Sequence, residues 1–256
     1  MATSDQSAGA TGGIDLRGDD PRLTERFLRR VDRGSDDPVW LVGVVHDHPA
    51  SVHRARSVVQ ATNPDVLAIE VPPLAAPLFE QYATDGHEPP RLGGEYSAAI
   101  QAAPGARVVG IDAPNRRFFA ALSRTCLDER VSLSTARRLA DGVADASRTA
   151  VTARLLAAVS AATSYTAAAD RAFDHDHDCS SRDDAETQAA AERAVVDRIE
   201  KTLAVLDRPA ALRIRDETRE ACMSRRIAEL STSGVVVAVV GVGHLDALAD
   251  GLSETA

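Results

Sequence analysis

Lysine is all but missing from this chain: Lys201 stands alone among 29 basic residues. Aromatic residues are scarce as well, 4% of the chain against 44% hydrophobic in total, so a core must be packed from Ala, Val and Leu rather than from aromatic clusters. Basic residues are outnumbered by 38 acidic ones, and a net charge of −9 argues against a broad nucleic-acid-binding face. This acidic, Ala-rich, Lys-poor balance suits a GC-rich genome or a saline cytoplasm. Cys126, Cys179 and Cys222 are odd in number, far apart and without C-x-x-C spacing, which supports neither a disulfide framework nor a cysteine zinc site and fits a reducing compartment. No stretch approaches ~18 consecutive apolar residues, and the N-terminus lacks the basic and apolar regions of a leader. The expectation is a cytoplasmic protein with no membrane segment.

What the chain does have is a set of short β-branched runs without polar alternation: "VWLVGVV" (39–45), "VLAIEV" (66–71), "RVVGI" (107–111) and "VVVAVVGV" (235–242). Strands covered on both faces read this way, so a mostly parallel sheet flanked by helices is predicted, an α/β fold. Between the first two runs, Val52, Ala55, Val58 and Val59 share a helical face that stops at Asn63-Pro64, completing a βαβ unit. Helices are also predicted over 93–106 and 115–127. From about 131 to 232 the pattern changes to long Ala-rich helical segments with no strand candidate, a helical lobe inserted before the last strand. Residues 1–20, rich in Gly, Ser, Thr and Asp, read as a disordered tail, and 21–256 as one domain. That domain is predicted to open with a helix, from Leu23, Phe27, Leu28 and Val31 at helical spacing before Gly34.

Each strand candidate ends in a titratable residue: His46, Glu70, Asp112 and His244 in turn. Ligand sites of open parallel sheets lie outside the carboxyl ends of the strands, so these four groups are expected to meet in one crevice. Two of them close the same motif, Gly43-Val-Val-His46 and Gly241-Val-Gly-His244. Glycine three residues ahead lets the backbone turn or approach a neighbour closely. Two imidazoles with one or two carboxylates form a ligand set for a divalent ion such as Zn, Mn or Fe. A carboxylate in the apolar run "LAIEVPP" is costly to bury unless paired or metal-bound, which marks Glu70 as a third ligand or a general base. Asp112 is a ligand, an orienting partner for a histidine, or a helix N-cap ahead of Pro114.

The block "LVGVVHDHPASVHRARSVVQATNPDVLAIEV" resembles the opening of the TraB/PrgY family, which is related to the TIKI metalloproteases. "GGEYSAAIQAA" with "GARVVGID", then "TREACMSRRI", then "VVVAVVGVGHLDAL" are similar, in order, to the family's later blocks, so the resemblance spans roughly 39–255. It implies a TIKI-like α/β fold and metal-dependent peptide cleavage, with His46, Glu70 and His244 holding the metal. It also places the family's Gly-Glu acid at Glu95, its strand-end acid at Asp112 and its helix arginine at Arg219. The chain departs from the pattern in having Ala113 after that acid, with Arg116 and Arg117 displaced, Glu220 after the helix arginine, and no C-terminal membrane region.

The roles that follow are Glu95 as a general base, or simply an acid complementing a helix dipole, and Arg219 as a stabiliser of a tetrahedral intermediate, or a residue of a solvated helix face. Met223 reads as core. His48 and His53 are reserve candidates, expected on a loop and on a helix surface, and the tract "DHDHDC" (174–179) reads as a solvated acidic loop. The leading expectation is a metal-dependent hydrolase of peptide bonds. Its alternatives are a non-catalytic protein that sequesters a peptide or small signal molecule, and a metal-independent His/Glu hydrolase like the erythromycin-esterase-like group.

Overall fold

All four unalternating apolar runs are strands of one sheet. The structure, a computed structural model, describes residues 19–33, 37–162, 177–205 and 208–254. Of the tail expected at 1–20, only Asp19 and Asp20 fall within them. In chain order the elements are β1 (Leu28–Val31), β2 (Val39–Val44), α1 (Pro49–Thr62), β3 (Val66–Ile69), α2 (Ala76–Tyr82), α3 (Gly94–Ala102) and β4 (Arg107–Gly110). There follow α4 (Arg116–Asp128), α5 (Leu133–Ala162), α6 (Ala185–Val205), α7 (Ala210–Leu230), β5 (Val236–Gly241) and α8 (Leu245–Ser253). The strand order is β1-β2-β5-β3-β4, with β2, β5, β3 and β4 mutually parallel and β1 antiparallel at the edge.

The period of two along buried strands divides the core into two layers. Val42, Val44, Leu67, Ile69, Val237 and Val239 face α1, α2 and α3, where Ala55, Val58, Val59, Tyr96 and Ala99 meet them. Leu41, Ala68, Val236, Ala238 and Val240 face the other way, onto Met223 and Ile227 of α7 and Leu245 and Leu248 of α8. Because both layers are filled, Val236 to Val240 are wholly buried in the centre of the sheet. Met223 is core, as its spacing suggested.

One expected element is overturned. Residues 21–27 form turns, and Leu28–Val31 is the edge strand β1 instead of helix. Its register, Leu28 opposite Val42 and Val31 opposite Val39, pairs an edge of β2 whose backbone would otherwise lack partners. Leu28 and Val31 still bury their side chains, so the apolar spacing that suggested a helix is satisfied by a short strand that buries its two ends. The lobe between residues 131 and 232 contains α5, α6 and α7, and no strand among its described residues. No helix among the described residues is long and apolar enough to cross a membrane.

Candidate active site

Strand order brings the two Gly-x-x-His motifs together. β2 and β5 are parallel neighbours with Val44 opposite Gly241, so His46 and His244 leave the sheet at the same edge. Gly43 has ordinary backbone angles, and its lack of a side chain serves packing: a Cβ there would lie 3.0 Å from Leu245 Cδ2, in the residue after His244, and 3.3 Å from the Phe27 carbonyl. At Gly241 a Cβ would meet the Glu70 carboxylate at 3.4 Å. The glycines are where the neighbouring element presses in.

Each motif histidine has its Nδ1 fixed by a carboxylate. His46 Nδ1 donates to Glu95 Oε1 at 2.7 Å, and the Asp47 amide donates to Glu95 Oε2 at 2.9 Å. Glu95 lies in the first turn of α3 but is only 1% exposed, so it serves the histidine loop rather than a solvent-facing helix end. His244 ends the short 3₁₀ turn Val242–His244 and donates through Nδ1 to Glu220 Oε1 of α7 at 2.7 Å. Its Nε2 is 3.3 Å from Glu70 Oε1.

Glu70, directly after β3, is the hub of the site. Its Oε2 accepts from the Gly241 amide at 2.6 Å and its Oε1 from the Arg219 guanidinium at 2.8 Å. Arg219 also grips Asp112 in a two-pronged pair, Nε to Oδ1 and Nη2 to Oδ2, both 2.8 Å. A planar guanidinium can bridge two carboxylates in this way, keeping strand-end acids of β3 and β4 close together. Arg219 is therefore not on a solvated face. Asp112 is not the N-cap of α4 either: Asn115 is, accepting from the Phe118 amide at 3.0 Å. The displaced arginines lie outside this cluster, Arg117 pairing with Glu229 on the surface.

The protonation states follow from these contacts. The Glu95 hydrogen bond, outweighing partial burial, raises the half-exposed His46 to about 9. Burial pulls His244 down, but the Glu220 hydrogen bond and the Glu70 charge together leave it above the usual imidazole value. Arg219 is partly buried, which works against its charge, yet Asp112 and Glu70 hold its proton more firmly than usual. Tyr96 is pushed well above the phenol range by burial and by the charges of Glu70, Glu95 and Asp112, so it keeps its hydroxyl hydrogen.

His46, Glu70, Glu95, Tyr96, Asp112 and Arg219, but not His244, line a cavity of about 540 Å³. The rest of its lining is mostly apolar, from Val71, Ala75, Leu78 and Phe79 and from Ala153 and Leu156 of α5, with Asp47, Arg148, Thr149 and Thr152 the polar members. A cavity of this size, apolar with a few convergent polar groups, is the usual form of a small-molecule or peptide side-chain site.

The reserve residues fall elsewhere. His48 does lie on the loop between β2 and α1, as its last residue, but it is fully buried and caps α1, its Nδ1 accepting from the Ala50 amide at 3.2 Å. His53 sits on the partly exposed side of α1 beside Asp20, 3.0 Å away. Of the tract at 174–179, residues 174–176 lie outside the described residues; His177 Nε2 donates to the His46 carbonyl at 2.9 Å, and its ring meets that of His48 edge-on at 4.7 Å. Sequence reasoning missed Tyr96, which follows Glu95 directly, and the role of Glu220, next to Arg219. It also missed Arg54 and Glu192, which form a fully buried ion pair behind the first motif. Among the described residues no three His, Cys, Asp or Glu side chains lie close enough together to hold a metal ion. No family model, no curated protein and no solved structure matches this chain.

Proposed function

We propose that this crevice is the active site of a hydrolase that cleaves an acyl bond in a peptide or small signal molecule, in a chain that resembles the TraB/PrgY family and its TIKI-like fold. The observation that carries the reading is the doubled anchoring: His46 by Glu95 and His244 by Glu220, each through Nδ1, with Glu70 beside the Nε2 of His244. An imidazole fixed through Nδ1 offers Nε2 for proton transfer in a set direction, and the carboxylate behind it stabilises the imidazolium. With its proton held up to about 9, His46 is the acid at neutral pH, and Glu70 is the base. Water's oxygen bonds to the acyl carbon as Glu70 takes one of its protons. The bond to the leaving group then breaks, and that group departs with the proton of His46. The proton on Glu70 returns to His46, and the acid product ionises. Arg219, already fixed by Asp112 and Glu70, lies at the same wall to oppose negative charge as it develops on the substrate.

A second reading keeps these residues and adds a divalent ion, Zn, Mn or Fe. Anchoring through Nδ1 is also how metal-binding histidines are oriented, and Nε2 of His46 and His244 with Glu70 would hold the ion. When bound it would supply an activated water. The donor types fit; what supports acid–base chemistry is that Arg219 already occupies Glu70 Oε1.

Cleavage of a peptide library, with metal content measured before and after chelator treatment, tests both. Turnover that survives chelation and falls at least a hundredfold in His46→Ala and Glu70→Gln is expected. Stoichiometric metal that is lost in His46→Ala, with activity lost to chelator, would select the second reading. Tight peptide binding with no turnover under either condition would leave a sequestering protein.

A further inference from the structure

One side chain of the cavity meets both its polar and its apolar lining. Tyr96 is 5% exposed, and its hydroxyl has no hydrogen-bond partner among the described residues. Its ring lies 5.7 Å from that of His46 on one side and packs edge-on against Phe79, 5.6 Å away, on the other. A buried phenol hydroxyl left unpaired costs free energy that a ligand oxygen can restore. Such an oxygen would sit between the proton donor His46 and the apolar wall.

Beyond Tyr96 the wall is made by two separate parts of the chain. Leu78 and Tyr82 of α2 are 3% and 1% exposed, and Ala153 and Leu156 of α5 pack against them. On α5 the polar lining residues are Thr149, Thr152 and the exposed Arg148, whose charge is paired with Asp145. At the polar end a carboxylate substituent would face Glu70, Glu95 and Asp112, while the arginine there is already neutralised by two of them. The ligand half that enters this cavity is therefore uncharged and apolar.

We propose that the substrate's acyl half is a medium-length aliphatic group seated between α2 and α5, with its carbonyl oxygen accepting a hydrogen bond from the Tyr96 hydroxyl. This rests on the hydrolase reading above and names its substrate class. Tyr96 thereby becomes a catalytic residue, since its donor meets the oxygen on which charge develops.

The test uses 4-nitrophenyl acetate, butyrate, hexanoate and octanoate as turnover probes, and acetamide and hexanamide as binding probes read by calorimetry. In the full chain, kcat/KM rises at least tenfold from acetate to hexanoate, and hexanamide binds where acetamide does not. Ala153→Phe fills the apolar half and collapses both the hexanoate-to-acetate ratio and hexanamide binding; Ala153→Leu, a smaller change, lowers the ratio in part. An unchanged thermal midpoint shows that these variants are folded. Tyr96→Phe keeps the ring and its packing, so kcat falls at least tenfold while the chain-length profile and hexanamide binding persist; an unchanged kcat would overturn the assignment of the hydroxyl. Turnover that is flat with chain length and indifferent to Ala153→Phe overturns the acyl site. If no ester is cleaved but hexanamide still binds and Ala153→Phe abolishes it, the hydrolase reading fails and the apolar site stands. If neither turnover nor chain-dependent binding is found, both fall.

Discussion

Replacing Glu192 with Ala should be among the most damaging single changes available in this protein. Glu192 of α6 and Arg54 of α1 are both 0% exposed and form a direct ion pair. The guanidinium also donates to the Gly43 carbonyl at 2.8 Å and the Arg22 carbonyl at 2.7 Å, and it lies 4.0 Å above the Phe27 ring. Ser51 donates to the same carboxylate and accepts from the Val45 amide at 2.8 Å. The pair thus fastens the helical lobe to the backbone on either side of Val44, within the first Gly-x-x-His motif. Removing only the acid leaves a buried cation with two neutral acceptors, a loss of about 3–5 kcal/mol for a broken buried pair. Against a usual total of about 5–15 kcal/mol, that is a large fraction of the stability. The double variant Arg54→Met with Glu192→Leu removes both charges and should recover most of the loss, leaving a coupling of about 2 kcal/mol or more between the sites. Guanidinium chloride unfolding of the wild type, Arg54→Met, Glu192→Leu and the double supplies all the terms of the cycle. A cost below about 1 kcal/mol for Glu192→Ala, with additive effects in the double, would show that this pair does not hold the lobe.

Three further outcomes are expected. Glu95→Gln should bring the His46 titration, followed by NMR, from about 9 back toward the ordinary imidazole value, because the hydrogen bond that raises it is weakened; in the wild type the stabilisation this pair contributes is complete below the unfolded pKa and fades as pH rises through 9. His48 is depressed to about 4 by burial, so the stability its neutral form contributes is whole above about pH 6.5 and is lost as pH falls toward 4, by about 3 kcal/mol. Unfolding at pH 7 and 4.5 should show a larger acid loss in the wild type than in His48→Asn, which keeps a capping side chain, and equal losses would refute the assignment. The two glycine substitutions should have opposite signs. Gly43→Ala forces a methyl against Leu245 and Phe27 and should cost about 1–3 kcal/mol, whereas Gly142→Ala on α5 meets nothing within 4 Å and should add about 0.5–1 kcal/mol in the same unfolding assay.

Legibility in the sequence followed the range of the interaction that determines each feature. The parallel strands could be read because burial on both faces writes a continuous apolar run, as in "VVVAVVGV", and the residue after each run was visible as an acid or a histidine. The first element was misread because Leu28 and Val31, three apart, suit one face of a helix as well as the ends of a short strand. What decided between them was the unpaired edge of β2, and no local pattern carries that. The same limit hid the buried ion pair, since Arg54 and Glu192 are 138 positions apart and each sits in an ordinary helical stretch. His48 could be placed on the loop ahead of α1, but its burial could not be read, because the side chains it meets, His177 and Cys179, are distant in sequence, Cys179 by 131 positions. Glu220 could have been suspected: it adjoins Arg219 on one helix, and a second acid beside a site arginine is a natural partner for a strand-end histidine.

Of the five described strands, the one at the middle of the sheet is the last in chain order. Before β5 exists, β1–β2 and β3–β4 are two separate ribbons with no contact through the sheet, each with an unsatisfied inner edge. Insertion of β5 closes both edges at once, buries five consecutive residues and carries His244 to Glu70 in the same event. Assembly of the crevice is thus coupled to a long-range strand pairing, the kind of step that topology makes slow. A nascent chain stalled ahead of residue 236 would display two strand edges and no complete site, prone to association and unable to act on a substrate.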